Sequence, residues 1–397
     1  MIEIDTAREI INSHSFQLGT EVVCISEASG RVLAEECFSD RDYPPFHRAT
    51  MDGFAVSSRH YSRKKDFRIV GTIQAGALGD MDFPDSECVK IMTGARVPDN
   101  FDLVIRVEDS IVQGERVAFE VDPVKPYMNI ALKGEDIKKN SPILQSGSML
   151  NPLAISLLAS IGKEAVKVFQ PPKVSILSTG NEIIPLTKEP MPEQIRDSNS
   201  YTLVEFLKRY HINPVQREIL PDVPEKISDG IERSLDSEVV IISGGVSMGE
   251  FDFVPKILSE KKVKNLFHKV EIKPGKPFWF GVGPKGTAVF ALPGNPFAVQ
   301  VAFKVFIEPF LRKIFHLPEI KPLKIPLMGS RSKKHNLPEY FPAKIDSSGE
   351  FTAILAVEFN GSGDITAASK SDGIALHCKE KKALCDGDII QFYSWTA

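Results

Sequence analysis

The chain has 397 residues, 42% apolar and 25% charged, the balance of a soluble globular protein too long for one ordinary core, so two to four domains are expected. Its 48 basic and 52 acidic side chains leave a net charge of −4, which argues against general nucleic-acid binding and leaves room for a local basic hollow around a small anion. Five scattered cysteines (Cys24, Cys37, Cys88, Cys378, Cys385) make no C-x-x-C pair, which speaks against structural zinc or a disulfide framework and for a reducing cytoplasm; no signal peptide or membrane span is expected either.

In chain order, "DTAREIINSHS" has helical spacing with Asp5 as N-cap. From Phe67 to Val124 the pattern is turn-rich and β-like ("FRIVGTIQAG", "ECVKIMTGARVP", "DLVIRVEDSIV", "RVAFEVDPV"), which predicts a small all-β unit carried on a longer scaffold. "NPLAISLLASIG" opens with Asn-Pro and closes with Gly, the punctuation of a helix. After "QPPK" strands and helices alternate. "VSILSTG" reads as a strand, "DSNSYTLVEFLKRYH" as a helix with an Asp/Ser cap, and "INPVQREIL" as a strand. "DVPEKISDGIERSL" reads as a helix with a capping box at Asp222 and Glu225, "SEVVIIS" as a strand, "FVPKILSEK" as a helix and "TAVFALPG" as a strand. Asn295 and Pro296 then stand where an N-cap and a first helical residue belong. The helix they open, "PFAVQVAFKVFIEPFLRKIF", is apolar on most faces and is expected packed deeply or against another subunit. The alternation predicts a doubly wound, mostly parallel α/β sheet. From Pro318 onward short strands return ("EYFPAKID", "FTAILAVEFN", "GIALHCKE", "DGDIIQFYSW"), predicting a small β-barrel or sandwich.

Open α/β sheets bind ligands beyond the carboxyl ends of their strands. There the sequence places "STGNE" with Glu182, "PD" with Asp222, and "SGGVSMGEFD" with Ser243, Gly244, Gly245, Ser247, Glu250 and Asp252. "KPGKP" with Lys273, Gly275 and Lys276 follows "HKVEI", and "PGNP" with Pro293, Gly294 and Asn295 follows "VFAL". Glycines let backbone N–H groups approach an anion, helix N-termini add partial positive charge, and the lysines add full charges. Carboxylates repel a phosphate unless a cation intervenes, so Glu182, Asp222 and Asp252 point to Mg²⁺. Each loop alone has a plainer explanation. Gly-Gly makes a tight strand-to-helix turn, Asp222 and Asp252 make helix caps, and "KPGKP" makes a solvated turn. The convergence of five loops is what argues for a phosphate-bearing ligand. "GVGPKG" precedes a strand rather than opening a helix, and no G-x-x-x-x-G-K-[ST] occurs, so dinucleotide and P-loop readings are weak. A second cluster lies in "RATMDGFAV" (Asp52), "IMTGARVP" (Thr93) and "LKGEDI" (Asp136), where turn signals and a surface acid are the plainer readings.

Taken in order, "TMDGFAV", "IMTGARVP", "VEDS", "KGEDI", "LSTGNE", "IRDSN", "SGGVSMGEFD", "KPGKP" and "LPGNP" resemble the molybdopterin molybdenumtransferase family, which includes bacterial MoeA and the E-domain of gephyrin. The resemblance implies an enzyme that inserts molybdate into the dithiolene of adenylylated molybdopterin and releases AMP with Mg²⁺ assistance. It also implies an elongated homodimer whose cleft lies between the α/β domain of one subunit and the β-rich region of the other. Each subunit would have four domains: a scaffold (1–24, 41–52, 125–168), a β-rich insertion (25–40, 53–124), a central α/β molybdopterin-binding domain (169–317) and a C-terminal β-barrel (318–397). By motif, Asp52, Thr93, Asp136 and Glu182 match the family's catalytic positions. Glu182, Asp222 and Asp252 match its metal or phosphate-site acids, Lys273 and Lys276 its anion-binding lysines, and Ser362 in "NGSGD" a serine of the last domain. A carboxylate does not attract bare molybdate, so Asp52 is expected to act through a hydroxyl or on a protonated oxyanion.

The chain departs from the family at four places. Ala131 stands where members commonly have Arg, Asn181 for an acid, and Ala298 for Ser, and "EYFPAKID" lacks an expected Arg. The alternatives are the molybdopterin adenylyltransferase of the preceding step, or a pterin-binding carrier or scaffold without turnover. Expected partners are a second copy of the chain, the adenylyltransferase and recipient molybdoenzymes, with no nucleic acid and no membrane.

Overall fold

A computed structural model describes residues 1–77, 82–246 and 252–396. The chain forms two compact units, Met1–Ala34 with Ser146–Pro152 and Ala165–Ala397, and Glu35–Gln145 with Leu153–Glu164.

The first unit is organised by a six-stranded sheet. Four strands are parallel, in the order Gln216–Leu220, Val174–Thr179, Val239–Ser243 and Ala288–Leu292; Trp279–Val282 and Lys264–His268 continue it antiparallel. Every residue of Val239–Ser243 and Ala288–Leu292 is buried, as required of strands covered on both faces. Alternate residues serve two cores. Val239, Ile241, Phe290 and Leu292 pack with Leu203, Leu207 and Phe297, while Val240, Ile242, Val289 and Ala291 pack with Ile227, Ile231, Ile257 and Leu258. This is the doubly wound arrangement expected.

Local details differ from the expectations. Helix Ile4–Ser13 takes Glu3 as its N-cap, leaving Asp5 in the first turn, where the helix dipole still favours an acid. Pro224 occupies the first position of helix Pro224–Ser234, which makes Val223 the N-cap and leaves Asp222 outside, so the capping box does not form. Phe253 rather than Asp252 is the N-cap of Val254–Glu260. "KPGKP" follows Lys264–His268, a strand that pairs only antiparallel, with Trp279–Val282, yet runs in the same direction as the four parallel strands. It lies in the connection between the antiparallel strands Lys264–His268 and Trp279–Val282. Since Trp279 pairs with Ala291, next to the last residue of Ala288–Leu292, that connection still emerges at the carboxyl edge.

The apolar stretch from Pro296 to Ile314 is packed deeply in its own unit, with a π-helical turn at Phe303–Ile307. Pro309 has no N–H to return to the Val305 carbonyl four residues back. Arg8 supplies the missing donor, its Nε bonding Val305 O at 2.9 Å. In the same turn Lys304 and Glu308, both almost fully buried, pair at 2.7 Å, and the Tyr210 hydroxyl donates to Glu308 at 3.1 Å.

The rest of this unit is a closed barrel of strands Leu323–Met328, Ala353–Ala356, Glu339–Asp346, Gly373–His377 and Ile389–Ser394, filled by Ile325, Phe341, Ile354, Ala375 and Phe392. It is stitched to the α/β sheet by backbone: Lys273 N–H donates to Pro338 O (2.9 Å) and Tyr340 N–H to Lys273 O (2.7 Å). The second unit carries another six-stranded sheet, ordered Leu103–Arg106, Gly53–Val56, Cys88–Ile91, Asp66–Ile73, Arg116–Phe119 and Ser110–Gln113, with an apolar core on each face. Among the described residues no helix is long and apolar enough to cross a membrane.

Phe306, 1% exposed and stacked on Phe278 at 4.5 Å between ring centroids, sits at the heart of the first unit. Phe306→Ala is expected to cost about 3–5 kcal/mol, read as a lowered midpoint in urea unfolding followed by near-ultraviolet circular dichroism.

Candidate active site

Strand Val239–Ser243 ends against its neighbours. Gly244 donates its N–H to Leu292 O at 3.0 Å. Gly244 and Gly245 have φ of +99° and +68°, and a Cβ on Gly244 would stand 2.4 Å from Thr179 O. Two side chains are therefore given up so that the turn can lie flat on the end of the adjacent strand. Asn199 locks the arrangement from below, its Nδ2 donating to Ser243 Oγ (2.9 Å) and to Gly294 O (2.7 Å). Just ahead of helix Asn199–Lys208, whose N-cap is Ser198, Asp197 accepts from Ser200 N–H at 3.1 Å and Ser200 Oγ at 2.5 Å.

The loops line one cleft of about 1330 Å³, large enough for a nucleotide joined to a second ring system. Gly180 and Glu182 contribute from the first loop, Asp222 from the second, and Gly244, Gly245 and Asp252 from the third. Lys273, Gly275 and Lys276 come from the hairpin connection, Pro293, Gly294 and Asn295 from the last loop, and Ser362 from the barrel unit's closing stretch. Asn295 holds that stretch in place, its Nδ2 donating to Ser362 Oγ at 2.7 Å, while Phe297 N–H donates to Ser362 O at 3.1 Å. Ser243 does not reach the cleft surface. It is 1% exposed beneath the floor, and its hydroxyl anchors Asn199, so a direct ligand contact is not supported. Ser247 and Glu250 lie outside the described residues.

Asn181 and Asp222 clasp the first two loops together. Asn181 N–H donates to Asp222 Oδ2 (3.2 Å), and Asp222 N–H donates to Asn181 Oδ1 (3.0 Å). An acid at position 181 would offer the same acceptor, so this departure removes a charge and keeps the clasp. The third departure, Ala298, lies in the cleft wall. Among the described residues no group of three or more His, Cys, Asp or Glu is placed to hold a metal ion by itself. Glu182, Asp222 and Asp252 still share the cleft, and Mg²⁺ needs only one or two carboxylates when phosphate oxygens and water complete its shell. At the cleft floor Thr179 Oγ1 is buried with no hydrogen-bond partner among the described residues.

Two residues that the sequence did not single out also line the cleft. Arg331 arrives from the two-residue strand Arg331–Ser332, ahead of "EYFPAKID", where an arginine was expected. Glu339, 5% exposed, pairs with Arg331 at 2.9 Å and with Lys273 at 3.3 Å. The basic cluster "SRSKK" was the available signal.

In the second unit Asp52 and Thr93 meet. Asp52 Oδ1 accepts from Thr93 N–H at 2.6 Å and from Thr93 Oγ1 at 2.8 Å. These two bonds, with a smaller contribution from Lys90, hold the Asp52 carboxyl below the usual aspartate range despite some desolvation. Asp52 is therefore a carboxylate, bonded to the backbone and hydroxyl of Thr93. Asp136 is exposed, its N–H donating to Tyr43 O at 3.1 Å. Ala131 pairs with Arg48 in a short antiparallel ladder.

Two predictions follow from this geometry. Gly244→Ala forces a Cβ into Thr179 O and is expected to abolish nucleotide binding and destabilise the fold by about 2 kcal/mol or more; Gly286→Ala, equally left-handed but in open space, is expected to cost about 1 kcal/mol and leave binding intact. Calorimetric titration with AMP and thermal unfolding read both. The Asp52–Thr93 clasp is complete above the ordinary aspartate range and is lost as pH falls through the lowered value. A carbon-13 titration of Asp52 is expected to show its midpoint below that of an ordinary aspartate, and Thr93→Val, which removes the hydroxyl bond but keeps the larger backbone one, to raise it only part of the way.

Residues 2–162 match the family model described as MoeA N-terminal region (domain I and II), and residues 175–313 match the one described as "Probable molybdopterin binding domain". A protein of Synechocystis sp. named molybdopterin molybdenumtransferase is 33% identical over the full length of both chains, and one of that name from Haemophilus influenzae is 34% identical over 79% of this chain and 78% of its own. The crystal structure of the molybdopterin biosynthesis moeA protein from Pyrococcus horikoshii OT3 superposes with a TM-score of 0.85 at 26% identity, covering 99% of this chain and 100% of that one. With one relative matched from end to end, and both models lying in order along the sequence, the chain belongs to the molybdopterin molybdenumtransferase family.

Proposed function

We propose that this protein is the molybdotransferase of molybdenum cofactor biosynthesis, and that its carboxyl-edge cleft holds adenylylated molybdopterin while molybdate enters the dithiolene and AMP leaves. The observation that carries this reading is the convergence of five edge loops on one cleft that combines open glycine backbone, lysines and acids. The Gly244 N–H is spent on Leu292 O and the Phe297 N–H on Ser362 O, so the open backbone at Gly245 and Gly275 and the positive end of helix Pro296–Ala302 face the phosphates. Lys273, Lys276 and Arg331 offset the negative charge that grows as the phosphate–AMP linkage breaks. Asp222, Asp252 and Glu182 would hold a Mg²⁺ ion, which would supply further charge neutralisation at the phosphates. Asp52 fixes Thr93, whose hydroxyl oxygen keeps its lone pairs for a protonated oxygen of molybdate. Asp136 is assigned to the same reaction on its motif alone.

The reading extends to organisation. Four domains per chain with the boundaries given above, a homodimer, a cytoplasmic setting, an adenylyltransferase supplying the substrate and molybdoenzymes receiving the product are all part of it. Family membership supports it.

Protein incubated with adenylylated molybdopterin, molybdate and Mg²⁺ is expected to release AMP, and Asp52→Ala and Glu182→Ala to slow that release by about 10²–10³. Unchanged release by both variants would remove those roles. ATP-dependent adenylylation of molybdopterin by the purified protein would favour the adenylyltransferase reading, and tight binding without AMP release the carrier reading.

A further inference from the structure

Glu339 is a buried carboxylate on the wall of the cleft, where an anionic ligand is least served by another negative charge. Its two oxygens are divided between two cations, Oε2 taking Arg331 Nη2 at 2.9 Å and Oε1 taking Lys273 Nζ at 3.3 Å. Burial raises the Glu339 carboxyl, but Arg331 and Lys273 outweigh it and leave it below the usual range, so it is charged. His335 Nε2 stands 3.4 Å from Oε2.

Arg331 is held on its other sides as well. Its Nη1 donates to His377 Nδ1 at 3.0 Å, His377 Nε2 donates to Lys381 O at 2.9 Å, and the guanidinium lies 4.2 Å from the centre of the Phe341 ring. Lys273 has its main chain bonded on both sides of Glu339, to Pro338 O and from Tyr340 N–H. That backbone bridge already docks the loop on the barrel, so the ion pairs are not needed for docking. What they add is a fixed position for two cationic heads, one from the α/β sheet and one from the barrel, around a single anchor.

We propose that Glu339 is a positioning residue that sets Lys273 and Arg331 as one preorganised pair for a tetrahedral oxyanion of the substrate, phosphate or molybdate. This rests on the cleft's being the substrate site, as proposed above. It carries a counter-intuitive consequence. Removing a negative charge from beside an anion site should tighten anion binding if Glu339 merely tempers the field. If Glu339 positions the cations, the same change loosens binding.

The test is calorimetric titration of the full chain and its Glu339→Gln variant with molybdate and, separately, with AMP, alongside thermal unfolding. Positioning predicts about tenfold or greater weakening in Glu339→Gln, with KM for molybdate rising more than kcat falls if molybdate is the anion held. Loss for molybdate alone assigns the pair to molybdate, loss for AMP alone to phosphate, and loss for both to a shared subsite. Unchanged or tighter binding of both by folded variant overturns the proposal, even if the melting temperature falls. Should Glu339→Gln not fold, Glu339→Asp, which keeps the charge but retracts it, serves instead: weakened binding supports the proposal and unchanged binding overturns it. Wild-type protein that binds neither anion would overturn the cleft reading along with the inference, whereas normal wild-type binding with an indifferent variant overturns the inference alone.

Discussion

The register of the parallel strands is the constraint on which the site depends. Thr179 stands opposite Leu220, and Ser243 opposite Leu292, so neighbouring strands stop level with one another. Each segment that follows must leave from the same edge, and the antiparallel pair Lys264–His268 and Trp279–Val282 turns there as well. Apolar β-branched residues buried on both faces hold this register, since a one-residue slip would exchange the contents of two separate cores. A cleft built of five loops thus follows from packing beneath it rather than from any affinity of the loops for each other.

On that edge, small details decide what faces a ligand. Gly244 and Gly245 bring backbone down onto Thr179, and Asn199 ties the third and fifth loops from below. The Asn181–Asp222 clasp joins the first two. The barrel enters through Lys273, whose main chain is bonded into the start of strand Glu339–Asp346, so the cleft is walled by both layers of one unit. Lys273 and Arg331 are held by Glu339 in the ligand-free structure, which keeps the reorganisation needed on binding small.

Much of this could be read from residue order. Buried strands announced themselves as apolar runs such as "VVIIS" and "AVFAL", and the loop chemistry followed once a parallel sheet was inferred. Helix starts were harder, because caps compete. Pro224 is better suited to the first helical position than Val223, and this moved the helix off Asp222 and left that acid to its neighbour Asn181. Arg331 was hidden because its strand is two residues long and its partner Glu339 lies beyond a turn, so no periodicity links them. Ser243 was misplaced for the opposite reason: a serine at a strand's end looks like a ligand contact, but here alternation turns it into the core. The π-turn needed knowledge of Arg8, some 300 residues away in sequence, to show how the carbonyl freed by Pro309 is satisfied.

The central claim is that segments scattered from Gly180 to Ser362 serve a single bound substrate. A crystal structure of the protein grown with AMP tests it most directly. The account predicts nucleotide density in the carboxyl-edge cleft, with its phosphate against the Gly244–Gly245 turn and within reach of Lys276. Well-ordered AMP bound elsewhere on the molecule, with those loops untouched, would contradict it.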